Sequence, residues 1–154
     1  MEGASVKPGR GNPPAGTGAA ADERVDAFAR AALRRAASAL QAVFFPRRTR
    51  TDYTRRLRNR FTRGYLVGCF DAALRCAHIP VADEAAFFEL MVVGHTLLLD
   101  GDAAKARIFV LESLAVLQDE ACSTAMRTGN SEYRMLLEGR IQHPATLETF
   151  FGAA

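Results

Sequence analysis

The chain has no tryptophan, only three cysteines, and no apolar run approaching the roughly 18 residues that a membrane-spanning helix requires. Cys69, Cys76 and Cys122 are too few and too irregularly spaced for a disulfide framework, and the first two lie in an apolar stretch where free thiols usually pack. A reducing cytoplasm is the predicted compartment. Gly and Pro follow Lys7 and Arg10 where a secretory signal would be apolar, so no signal is predicted.

The sequence also lacks the common catalytic motifs: a phosphate-binding glycine loop, a nucleophile elbow and a paired-histidine metal site. His95 is a candidate ligand or base with Cys69 and Cys76 as neighbours, but it lies on an apolar helix and the cysteine spacing matches no common zinc pattern. Nothing in the sequence pairs Cys122 with an activating base. We therefore predict no catalytic residue, no cofactor and no metal.

Alternating apolar and polar residues, the pattern of a strand, are missing too, whereas apolar residues recur at helical spacing along most of the chain. Caps and breakers divide this pattern into predicted helices at about 22–45, 51–77, 83–99 and 103–126, with one or two short helices after 131. Asp22 is the predicted cap of the first helix, and Gly129 with Asn130 is predicted to end the fourth. The sequence predicts an all-α fold: a compact helical bundle or helical-hairpin array of four to six helices. Residues 22–154 form one domain, and the Gly- and Pro-rich residues 1–21 are predicted to be a disordered tail.

The second predicted helix carries two glycines, Gly64 and Gly68, on the same narrow apolar stripe. Each glycine costs a helix roughly 1 kcal/mol relative to alanine. The close approach of another helix backbone would offset this cost, and we predict such a contact here. The stretch "GYLVGCFDAAL" that contains Gly68 is apolar on nearly all sides and is predicted to be buried.

Residues 89–114, "ELMVVGHTLLLDGDAAKARIFVLESL", resemble a single tetratricopeptide repeat, a helical hairpin of about 34 residues. Gly94, Gly101 and Ala106 match the small positions of that family, and the large apolar positions are matched by Leu90, Val93, Leu97 and Val110. Ser113 stands where the family favours alanine. The resemblance implies a protein-binding scaffold in which Gly94 and Ala106 lie at the close contact between the two helices.

The clearest feature of the sequence is its arginine segment, residues 47–63, which begins "RRTRTDYTRRLRNRF". The segment holds eight arginines against a single acid, Asp52, while the rest of the chain carries 12 basic and 16 acidic residues. An ordinary solvated helix face mixes charges of both signs, so this one is unusual. Arginine forks also suit carboxylates of a partner or phosphates of a nucleic acid, and the protein's own acidic C-terminal half offers a third destination. The aromatic residues Tyr53 and Phe61 fall on the stripe that the core needs.

From these observations we predict a non-catalytic protein-protein interaction or adaptor module that uses its arginine-rich helix face to dock an acidic partner. The predicted partner-binding residues are Arg55, Arg56, Arg58, Arg60 and Arg63. The alternative is a nucleic-acid-binding helical protein, and the third is a small helical enzyme whose site is assembled from scattered residues. The sequence leaves the oligomeric state open.

Overall fold

The computed structural model describes residues 17–153, with side chains from residue 23 onward, and this part of the chain is all-α with no strand. Residues 1–16 of the predicted tail lie outside the described residues, and α1 begins before the predicted cap at Asp22. The elements in chain order are α1 (Thr17–Phe44), a short 3-10 helix (Phe45–Arg47), α2 (Tyr53–Leu57), α3 (Arg60–Cys76), α4 (Glu84–Leu98), α5 (Ala103–Ala115), α6 (Glu120–Leu137) and α7 (Ala145–Gly152).

The all-α prediction is confirmed, and two polar caps explain why the described residues contain seven α-helices where four to six were predicted. Asn59 divides the second predicted helix, because its side chain accepts a hydrogen bond from the backbone N–H of Phe61 at 2.9 Å and so starts α3. Asp119 divides the fourth in the same way by accepting from the N–H groups of Ala121 and Cys122.

Helix α3 is the centre of the domain, since every residue from 62 to 74 is buried. This confirms that the apolar second half of the predicted helix is enclosed. Helix α6 covers one side of α3 in the most extensive contact between described helices, and α1 and α4 pack on its other sides. Helix α5 pairs with α4 at the edge of the bundle. The largest fully buried side chains include Tyr65, Phe70, Leu33, Leu40, Met91 and Phe151.

Glycines bring the backbones of α3 and α6 into contact, as the sequence predicts for Gly64 and Gly68. A side-chain carbon placed on Gly64 would lie 2.1 Å from the carbonyl oxygen of Cys122, and one on Gly68 would lie 2.0 Å from that of Met126. Gly129 contributes from the other helix, where a side-chain carbon would lie 2.2 Å from the carbonyl oxygen of Tyr65. The prediction that Gly129 ends a helix is therefore wrong: it lies inside α6 because only glycine fits the contact with α3.

Helices α4 and α5 form the predicted hairpin, turning at Asp100 and Gly101, both of which have positive φ. Ala106 is buried in it. Gly94 has a different role from the predicted one, however. A side-chain carbon at Gly94 would first meet the ring of Phe70 on α3, at 2.8 Å, so this glycine makes room for an aromatic ring rather than for the paired helix.

A buried carboxylate, Glu132, fixes the start of α7 against α3 and α6. It accepts hydrogen bonds from the hydroxyl of Tyr65, from the backbone N–H of Thr146 at 3.2 Å and from the hydroxyl of Thr146 at 2.5 Å. Burial, the neighbouring Cys69 and the bond to Glu132 all raise the pKa of Tyr65. Helix α7 then places Phe151 against Phe44 of α1, with ring centroids 5.0 Å apart. The C-terminal end of the described chain is thereby held beside the arginine segment.

Candidate partner-binding surface

The arginine segment forms the 3-10 helix, a turn, α2 and the start of α3, and it lies between the chain's own acidic residues and its C-terminal end. Three of its arginines pair with acidic residues of the C-terminal half: Arg47 with Glu148 at 3.3 Å, Arg60 with Asp119 at 2.6 Å and Arg63 with Glu112 at 2.7 Å. Arg48 pairs with Asp100 at 2.8 Å. Several arginines of the segment are thus paired with acidic residues of the same chain.

Asp52, the single acid of the segment, holds two arginines together. It accepts hydrogen bonds from Arg56 at 2.5 Å and from Arg50 at 3.0 Å, and these bonds lower the pKa of Asp52 to about 2. Arg56 also donates to the carbonyl oxygens of Phe150 and Ala153. Arg50 donates to the same Ala153 oxygen. These bonds tie the end of α7 to the start of α2.

Arg63 is an internal residue, with only 9% of its side chain exposed. Its guanidinium donates to the carbonyl oxygens of Arg58 and Phe109 and to the hydroxyl of Ser113, each at 3.0–3.1 Å. It also lies over the ring of Phe109, 4.4 Å from the ring centroid. Ser113, which departs from the tetratricopeptide pattern, is therefore a partner of Arg63. We call Arg56 and Arg63 the inner arginines, because their bonds join helices of the same chain.

Arg55 and Arg58 face solvent, and we call them the outer arginines. The side chain of Arg55 is 80% exposed and reaches Asp52 only at 3.9 Å. Arg58 is exposed, and its side chain makes no hydrogen bond or ion pair with any residue that the structure describes. Of the five predicted partner-binding residues, Arg56 and Arg63 therefore bind within the protein, and Arg55 and Arg58 are open to a partner. Arg60 is exposed but is already paired with Asp119.

An open cleft runs between α2 and α5 beside Arg58. Its apolar lining is formed by Leu57, Leu99, Ile108 and Phe109, and the charged side chains of Asp100, Lys105 and Glu112 line it as well. Thr54 and Arg58 stand on the α2 side. A cleft with a cationic side chain beside apolar ones can contact both carboxylates and apolar side chains of a ligand.

The two aromatic residues of the arginine segment are engaged in the core. The ring of Tyr53 lies 6.3 Å from that of Phe44 and 5.9 Å from that of Phe151, and the ring of Phe61 lies 4.7 Å from that of Phe150. Unstacked bases bind to aromatic faces that are open to solvent. The aromatic residues of this segment therefore do not form a stacking platform.

His95, the candidate base, is fully buried between the rings of Phe70 and Phe109. Its Nδ1 lies 2.7 Å from the carbonyl oxygen of Met91, which can only accept, so Nδ1 carries the proton. Nε2 has no partner among the described residues, and burial lowers the pKa of His95 to about 4. Cys69 bonds to the carbonyl oxygen of Gly129 instead, and burial raises its pKa. Within residues 17–153 no three His, Cys, Asp or Glu side chains are placed to share a metal ion.

The sequence left the protein's own acidic half open as a destination for the arginines, but it did not predict the bonds of Arg56 to α7 and of Arg63 to α5, nor the buried Glu132. The partners of Arg63 on α5 lie 46 to 50 positions along the chain, and those of Arg56 at the end of α7 lie 94 and 97 positions away. Local periodicity carries no signal for contacts of this range.

No described helix is both long enough and apolar enough to cross a membrane. No family model, curated protein or solved structure matches this chain.

Proposed function

We propose that this protein is a non-catalytic interaction module that docks an acidic protein partner on its outer arginines, Arg55 and Arg58. The observation that carries the proposal is Arg58, an exposed guanidinium without a partner among the described residues, beside a cleft whose lining is mainly apolar. The neighbouring Arg55 adds a second exposed positive charge on α2, whose C-terminal cap is Arg58. The resemblance of the α4–α5 hairpin to a tetratricopeptide repeat agrees with a scaffold role.

The inner arginines support this proposal indirectly. Arg56 ties α2 to the end of α7. Arg63 of α3 binds the carbonyl oxygen of Arg58 at the end of α2 and that of Phe109 on α5, so that the short helix is held in one orientation. A rigid platform lowers the entropy that binding costs. Arg60 extends the basic surface where its bond to Asp119 is exposed to solvent.

A protein partner is preferred to a nucleic acid for two reasons. The cleft beside Arg58 is lined mainly by Leu57, Leu99, Ile108 and Phe109, which suits Leu or Phe side chains of a protein partner better than a phosphate backbone. The aromatic rings that would stack on bases are packed in the core. The cytoplasm remains the proposed compartment, because Cys69, Cys76 and Cys122 are all free thiols.

The test is a capture experiment in native lysate, performed with and without nuclease. The parent is compared with an Arg55→Gln/Arg58→Gln variant, and an Arg34→Gln/Arg35→Gln variant of the exposed face of α1 is the matched control. We expect a protein that is retained after nuclease treatment by the parent and by the control but is lost with the outer-arginine variant.

A partner that disappears on nuclease treatment would support the nucleic-acid alternative instead. In that case affinity should fall by roughly a hundredfold between 50 and 200 mM salt if about four phosphates are contacted. Equal capture by the parent and the Arg55→Gln/Arg58→Gln variant would remove the outer arginines from recognition.

A further inference from the structure

Helix α5 exposes an apolar stripe on the side opposite to its buried face. Ile108 is 58% exposed and Leu111 is 56% exposed. Ala104 and Ala115 are exposed too and continue the stripe by one turn at each end. These four residues, which we call the α5 stripe, follow one another at spacings of four, three and four, the pattern of a seam between two packed helices.

We propose that a second copy of this chain covers the α5 stripe, with the two α5 helices antiparallel about a two-fold axis. A two-fold axis packs the same surface of both copies together, so the stripe must fit against the same stripe running in the opposite direction. The α5 stripe meets this condition. In the antiparallel register Ile108 packs on Leu111 of the second copy, and Ala104 packs on Ala115 of the second copy, so the small residues let the helix ends approach closely.

Charge complementarity identifies the occupant as another copy. Lys105 and Glu112 lie on one flank of the stripe, seven positions apart and therefore nearly in line along the helix. An antiparallel pair brings equal flanks together, so each Lys105 lies on the same side as Glu112 of the other copy and about 3 Å from it along the helix axis, within reach of the long side chains. The two-fold axis makes this ion pair twice. The Lys105 side chain is 81% exposed and has only a distant partner, Asp102, at 3.8 Å.

The orientation follows from which cation is available. In a parallel pair Glu112 would meet Arg107, which lies on the opposite flank of the stripe. Both oxygens of Glu89 already hold the guanidinium of Arg107, each at 3.0 Å. Arg63 uses only Oε2 of Glu112, so Oε1 can accept from Lys105 of the second copy. The antiparallel arrangement forms new bonds without breaking those within the chain.

This inference goes beyond the proposed function, since it assigns the α5 stripe to a second copy, whereas the outer arginines lie on α2 and at its C-terminal cap. Lys105, Ile108 and Glu112 also line the cleft beside Arg58, so a second copy on α5 and an acidic partner in the cleft would compete for this side of the helix. A contact of one helix per copy is small, so the predicted dimer is reversible and forms at micromolar concentration. Arg55→Gln/Arg58→Gln should dimerise like the parent, which separates failure of this inference from failure of the proposed function.

Sedimentation of the full chain over a dilution series provides the first test. The parent is expected to pass from dimer to monomer on dilution, and the Ile108→Glu variant is expected to remain monomeric. The Lys105→Glu variant should raise the dissociation constant of the dimer by roughly tenfold or more, because it brings like charges together twice. Phe28→Glu is the matched control, since Phe28 is 66% exposed on α1. Helical content by circular dichroism checks that each variant is folded. A monomeric parent, or an Ile108→Glu variant that dimerises like the parent, overturns the proposal.

Cysteine cross-linking tests the register in a Cys76→Ser background, which removes the exposed native thiol. Ala104→Cys and Ala115→Cys chains should form a disulfide when they are mixed and oxidised. Neither should cross-link with itself, because identical positions would be separated by about 16 Å along the antiparallel helices. Self-cross-linking of Ala104→Cys would mean a parallel pair, and no cross-linking in the mixture of a dimeric protein would place the interface elsewhere. Either result overturns the proposal.

Discussion

A methyl group at Gly68 should destabilise the protein, although alanine is the better helix former. The side-chain carbon would lie 2.0 Å from the carbonyl oxygen of Met126 and 2.9 Å from the backbone nitrogen of Asn130. Both contacts are to backbone, so no side chain can rotate away. The α3 and α6 backbones would have to separate by roughly 1 Å or more, and a gap of that size forfeits a quarter to a half of the dispersion attraction across the contact.

The expected cost is the difference between two effects. Overpacking in a well-packed core costs about 1–3 kcal/mol and sometimes more, and the upper end applies because the most extensive helix pair has to move. Replacing glycine by alanine within a helix returns about 1 kcal/mol. Gly68→Ala should therefore lower the free energy of unfolding by about 2 kcal/mol, which corresponds to a fall in Tm of roughly 6 °C for a chain of this size.

Urea denaturation and thermal melting followed by circular dichroism measure this change. Gly152→Ala is the matched control, because a side-chain carbon at Gly152, the last residue of α7, has nothing within 4 Å. The control should melt at or slightly above the parent temperature. If Gly68→Ala also melts at or above the parent temperature, the helices are not in backbone contact at this glycine and the explanation of the α3–α6 pair is wrong.

Two further predictions concern buried polar groups. Burial lowers the pKa of His95 from 6.5 to about 4, so the folded state favours the neutral form. The free energy of unfolding should therefore decrease by about 3 kcal/mol as the pH falls from about 6.5 to 4. In urea denaturation the His95→Phe variant should show a smaller decrease over this pH range. Glu132→Ala leaves buried donors of Tyr65 and Thr146 without an acceptor and should cost about 3 kcal/mol, with faster amide hydrogen exchange in α7. The exposed Glu138→Ala control should change stability by less than about 0.5 kcal/mol, and an equal effect of both substitutions would contradict the role of Glu132.

The parts of the fold that the sequence predicts are those governed by local rules. Helical spacing of apolar residues predicts an all-α domain, and the two glycines on one stripe predict the backbone contact that Gly64 and Gly68 make with α6. The enclosed second half of α3 follows from its apolar circumference. In each case the signal lies within a few turns of helix, where side-chain direction is fixed by position.

The missed features depend on partners that are remote in sequence. Gly129 is a common helix terminator, but the approach of Tyr65 requires a glycine inside α6. Gly94 matches a repeat pattern, yet the residue against it is Phe70 of another helix. Arg63 resembles a solvated residue of a basic face until α5 packs over it. Tertiary contact overrides local pattern at these positions, and single-sequence periodicity does not record it.

The most direct test of the account is a comparison of two double variants of the arginine segment by denaturation. Arg56→Gln/Arg63→Gln removes the inner arginines and should cost several kcal/mol, because buried carbonyl oxygens and the Glu112 carboxylate lose their donors. Arg55→Gln/Arg58→Gln removes the outer arginines and should leave the unfolding midpoint within about 0.5 kcal/mol of the parent, since surface side chains contribute little. If the outer pair destabilises the protein as much as the inner pair, the outer arginines belong to the fold and are not free to bind a partner.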